Sequence, residues 1–149
     1  MLNLKNVIEF LTKSWRRRYL EAGNPDTGCD RLDRLASDDT QLVRRRVAEN
    51  PNTPETTLEQ LAQDDDAEVR TAVAENSATP EPLLDQLAHD QSDDVRYSMA
   101  ENANLPVSVL EQLAQDDNPY VSTRARTTLR RLARAAGISW VLSRLRRRR

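Results

Sequence analysis

The chain repeats itself every 26 residues, and that period constrains its fold more than any other feature. LDRLASDD begins at Leu32, LEQLAQDD at Leu58, LDQLAHDQ at Leu84 and LEQLAQDD again at Leu110. A second segment recurs in the same phase: VRRRVAEN from Val43, VRTAVAEN from Val69, VRYSMAEN from Val95, and a degraded copy, VSTRARTT, from Val121. NPNTPET, NSATPEP and NANLPVS separate them. The register extends half a repeat upstream. Ala22, Asn24, Pro25 and Thr27 fall on Ala48, Asn50, Pro51 and Thr53, and Arg18 falls on Arg44. Units this short cannot bury an apolar face alone, so each must stack on its neighbours.

The pattern within a repeat predicts two short helices. Thr-Pro-Glu opens the first, with Thr53 and Thr79 as N-caps, Pro54 and Pro80 at the first helical position, and Glu55 and Glu81 at the positive end of the dipole. Leu58, Leu61 and Ala62 then follow helical spacing. The second helix follows an acidic cluster such as Asp64-Asp65-Asp66, which supplies its cap, and runs through Val69, Val73 and Ala74. Asn50, Asn76 and Asn102 are expected to stop it, because Asn tolerates the left-handed conformation. Only 4% of residues are aromatic and 31% are charged, which suits packing by Ala, Leu and Val.

The run VRRRVAENPNTPETTLEQLAQD, Val43 to Asp64, resembles the leucine-rich repeat variant family, a relative of the HEAT and armadillo repeats. The resemblance covers roughly residues 17–121. It implies an all-α, right-handed α-solenoid of about four 26-residue two-helix repeats, closed by N- and C-terminal capping helices. Some members carry a cysteine cluster for an iron–sulfur centre. Here only Cys29 lies near the N-terminus, so that property does not carry over. The expected layout is an amphipathic capping helix over 1–16, the repeats over 17–136 and an Arg-rich helix or tail over 137–149.

Residue inventory argues against catalysis and cofactors. One His (His89) and one Cys (Cys29) assemble no triad or thiolate metal site, and the three glycines form no phosphate loop. The acidic loops lack the glycine turn and distal Glu of a calcium hand, and helix capping explains them more simply. No apolar run reaches membrane-spanning length and residues 1–15 do not read as a signal peptide, so a cytoplasmic setting is expected.

Three features remain for function. Arg44, Arg70 and Arg96 recur at one position, with Asp39, Asp65 and Asp66, and Asp93 and Asp94 a few residues before them, as an inter-repeat ladder or else a charged binding strip. The two residues after that Arg differ in every copy: Arg45-Arg46, Thr71-Ala72, Tyr97-Ser98 and Thr123-Arg124. Varying residues on a fixed frame are where repeat proteins place recognition, so Arg45, Arg46, Thr71, Tyr97 and Arg124 are candidate contacts for a protein partner. The alternative is an ordinary solvated face.

The third is charge. Residues 21–121 hold seven basic and 23 acidic residues, a balance of −16, whereas 122–149 hold ten Arg and no acid. The tail residues Arg144, Arg146, Arg147, Arg148 and Arg149 point to nucleic acid, an anionic surface or salt-dependent self-association, with a basic solvated cap as the plain reading. The chain is thus expected to be a non-catalytic, cofactor-free scaffold that binds a protein. Nucleic-acid association through the C-terminus is the alternative.

Overall fold

The computed structural model describes residues 14–137. Helix α1 occupies 14–22 of them, continuous across the boundary expected after residue 16. It is followed by α2 (Cys29–Leu35), α3 (Gln41–Ala48), α4 (Glu55–Leu61), α5 (Ala67–Glu75), α6 (Glu81–Leu87), α7 (Asp93–Glu101), α8 (Val107–Leu113) and α9 (Pro119–Ala135). No strand occurs among the described residues. The fold is all-α, a helical repeat architecture. It divides into two compact units, one ending at Pro80 and the other beginning at Glu81.

In the first unit α3 packs on α5, and each is joined by its neighbours α2 and α4. Leu32, Leu58, Val43, Val47, Val69 and Val73 are fully buried. In the second unit α9 packs on both α7 and α8, with Val95, Val109, Leu110, Val121 and Ala125 fully buried. Equivalent positions have equivalent surroundings. Leu32, Leu58, Leu84 and Leu110 are 0%, 0%, 6% and 0% exposed, as one apolar position per repeat requires.

Helix entry differs from the expectation at one residue. Thr53 is not the N-cap; Pro54 is, with φ −60° and ψ 149°, and no side chain caps α4. The Thr hydroxyl turns back instead. Thr53 Oγ1 donates to the Val47 carbonyl at 2.6 Å, Thr79 to Val73 at 2.5 Å and Thr27 to Glu21 at 2.6 Å, tying each inter-helix turn to the helix before it. The acidic cluster does cap α5, where Asp66 accepts from the Glu68 N–H at 2.8 Å. Asn118 does the same for α9 at 2.9 Å.

Helix exit departs more. Asn76 (φ −72°, ψ 127°) and Asn102 (φ −75°, ψ 107°) are extended, and no described residue other than glycine has a positive φ. Asn is required here for its side chain. Asn50 Nδ2 donates to the carbonyls of Ala22 (2.8 Å) and Asn24 (2.9 Å), and Asn76 Nδ2 to those of Ala48 (2.6 Å) and Asn50 (2.8 Å). Each Oδ1 also accepts the backbone N–H two residues on, at 3.0 Å from Asn52 and 2.8 Å from Ala78. One amide therefore satisfies carbonyls of the preceding repeat that its helix end leaves open. In the degraded fourth copy Thr128 stands at this position, and its hydroxyl donates to Ala100 at 2.7 Å.

Among the described residues α9 is the longest helix at 17 residues, against seven to nine for α2–α8. It buries Val121, Ala125, Leu129 and Ala133, spaced at four residues along one face. Gly137, at φ 68°, ends it in the left-handed conformation that glycine adopts freely. The stretch expected beyond this glycine, including Ile138, Val141, Leu142 and Leu145, lies outside the described residues.

Candidate interaction surface

The recurring arginines lie at the start of the second helix of each pair. Arg44 Nε and Nη2 grip the Asp64 carboxylate at 2.6 and 2.9 Å, while Nη1 donates to the Asp38 carbonyl at 2.9 Å. Arg96 holds Asp116 the same way, with its Nε at 2.7 Å, and reaches the Asp90 carbonyl and the Asp93 carboxylate. Arg18 pairs with Asp38 through both nitrogens of its fork. Arg70, 4% exposed, donates to the carbonyls of Asp64 (2.7 Å) and Asp65 (3.1 Å).

The carboxylate rung is therefore Asp38, Asp64 or Asp116, twenty residues downstream of its arginine. It is not Asp39, Asp65 or Asp94, which are exposed. The physical reason is the turn. Asp38, Asp64 and Asp116 each accept the backbone N–H two residues on, at 2.9, 2.9 and 2.8 Å, and this Asx turn fixes the second oxygen toward the guanidinium. Burial alone would raise these carboxyls. The arginine hydrogen bond and the turn N–H outweigh it, and hold all three below the usual aspartate range.

The varying column is already partly engaged. Arg45 pairs with Glu49 (3.0 Å) and Glu68 (2.9 Å). Arg46 pairs with Glu49 at 2.8 Å and lies 5.5 Å from the centre of the Tyr19 ring. It also covers Gly23, where any Cβ would strike its Nε at 2.1 Å. In the second unit Arg124 pairs with Glu101 and lies 5.9 Å from the centre of the Tyr97 ring. Both stacks join a tyrosine to an arginine 27 residues on, so one contact recurs in two separate units. Tyr97 is 37% exposed and Thr71 half-buried, whereas Ala72, in the same varying pair, is buried. Tyr19, Glu49 and Glu101 were not singled out from sequence. The signal was the 27-residue Tyr–Arg interval, visible only once both units are aligned.

The second unit also carries an open groove of about 460 Å³ between its acidic loops, lined by His89, Arg96, Gln112 and Asp116 among others. Its main charged pair is the Arg96–Asp116 rung. His89 is exposed, its Nδ1 2.9 Å from the Asp85 carbonyl. No three His, Cys, Asp or Glu residues converge as a metal site among the described residues. No described helix is long and apolar enough to cross a membrane. Arg144, Arg146, Arg147, Arg148 and Arg149 lie outside the described residues.

Helix pairs that recur every 26 residues, joined by side chains that bond across repeats, define an α-helical repeat protein. Residues 42–66 and 67–92 each match the model of the leucine rich repeat variant family. No curated protein and no solved structure matches the chain.

Proposed function

We propose that the protein is a non-catalytic scaffold that binds a protein partner through the varying column on its second helices. The observation that carries this reading is where variation falls. The Leu, Val, Asn and Asp positions that hold the repeats together stay the same and are buried or bonded. Tyr19, Arg45, Thr71, Tyr97 and Thr123 share one repeat position, alternate among three side-chain types, and keep exposed or half-exposed side chains. The tyrosine–arginine stacks add a second point in favour. Arg46 and Arg124 are already held by Glu49 and Glu101, so binding costs them little rotamer entropy. Tyr and Arg are also the residue types that most often anchor interfaces.

The test is affinity capture from nuclease-treated extract, comparing wild type with a Thr71→Glu/Tyr97→Ala variant. The expected result is a reproducible set of captured proteins that the variant loses while its melting temperature stays within a degree or two. Capture of the same set by both proteins would defeat the assignment of this column.

A further inference from the structure

The C-terminal half of α9 carries arginines that no described carboxylate answers, unlike the arginines of α3 and α7. Arg44, Arg45, Arg46, Arg96 and Arg124 each meet a carboxylate. Arg126 is half-buried and donates to the Ala114 carbonyl at 3.1 Å. Arg130, Arg131 and Arg134 meet no carboxylate among the described residues, and 131 and 134 are exposed. Spacings of three and four residues place Arg134 beside both others on the helix, where like charges oppose helix formation. Favourable interaction with the helix dipole accounts for Arg134, in the last turn, but not for Arg130. No acid occurs from residue 122 onward to offset them.

The same helix turns these groups outward in a line. Tyr120, Arg124, Thr127, Arg131 and Arg134 follow spacings of four, three, four and three, the signature of a single stripe. It lies opposite the buried face of Val121, Ala125 and Leu129. Tyr120 is 77% exposed at one end.

We propose that this stripe, through Arg131 and Arg134 with Arg130 on its flank, binds the sugar–phosphate backbone of nucleic acid without reading base sequence. Guanidinium forks match phosphate oxygens in pairs, and an uncompensated row of them suits a polymer with a negative charge every ~1.7 Å of duplex axis. A second copy of this chain is the weaker match. Its Asp38, Asp64 and Asp116 carboxylates are already held by its own arginines. Tyr120 adds a flat face for an unpaired base.

The test is fluorescence anisotropy of labelled 20-nucleotide RNA and 20-base-pair DNA with the full chain, from about 50 to 200 mM salt. Wild type should bind, weakening log-linearly with salt. Arg130→Gln/Arg131→Gln/Arg134→Gln should weaken binding by about tenfold or more at the low-salt end and lower the salt slope by roughly two to three. Circular dichroism of this variant should match wild type, which separates lost contact from lost fold. No binding by wild type at the lowest salt overturns the proposal. Unchanged binding by the triple variant overturns it too. So does complete loss on neutralising only the five arginines at 144 and 146–149, which would place the contact in the tail. Sedimentation covers the remaining occupant. Self-association that the triple variant abolishes, with nucleic-acid binding intact, would assign the stripe to a second copy.

Discussion

Single side chains carry much of the join between repeats. Asn50 and Asn76 are each almost wholly buried, and each bridges two carbonyls of the preceding repeat. Asn76→Ala would leave those acceptors dry and without a donor, at a cost of roughly 1–3 kcal/mol per orphaned group, seen as a clear drop in urea midpoint. The aspartate rungs make a prediction in pH. Their carboxyls titrate lower in the folded chain than the ~3.9 of an unfolded aspartate. The stability they add is therefore complete above that value and drains away as pH falls through the lower, folded one. Thermal melts from about pH 5 down to about pH 2.5 should show this loss. Asp38→Asn/Asp64→Asn/Asp116→Asn should start less stable and lose less on acidification. An equal slope in both proteins would show that the rungs are not the titrating groups. The arginine side of this ladder was legible from its period; the acid side was misread. The clue was in the repeat itself. Asp38, Asp64, Asp90 and Asp116 recur without exception, while the position after them includes Gln91 and the position of Asp94 includes Leu42.

Among elements, the helix pairs were legible because apolar spacing and proline placement agree in every copy. Their ends were not. Thr53 and Asn76 carry strong local preferences, for capping and for the left-handed conformation, that bonds to residues six or 26–28 positions away override. Leu61 and Leu87, at 0% and 1% exposed, close the core faces of α4 and α6. Replacing either with Ala should cost roughly 2–5 kcal/mol by chemical denaturation. Tyr97→Ala should leave stability nearly unchanged, since its ring is at the surface and its one cation stack is worth about 0.5–1 kcal/mol. A large loss at Tyr97, or none at Leu61, would reverse which face of the helices is core.

At the scale of the whole chain, the sequence exposes the repeat and the charge division but not which surface acts, because recognition depends on which varying side chains already answer one another. Arg45 and Arg124 look alike in a linear reading and differ in partners: one spans Glu49 and Glu68, the other covers Tyr97. What holds within each unit is that a repeat lends its neighbour the bonds that neighbour lacks, so damage should spread from one repeat to the next inside that unit. Amide hydrogen exchange on Asn50→Ala tests this most directly. The account predicts faster exchange in α3, which Asn50 follows, and also at the end of α1, where the carbonyls of Ala22 and of Asn24 just beyond it lose their donor. Faster exchange confined to α3, with α1 protected as in the wild type, would contradict it.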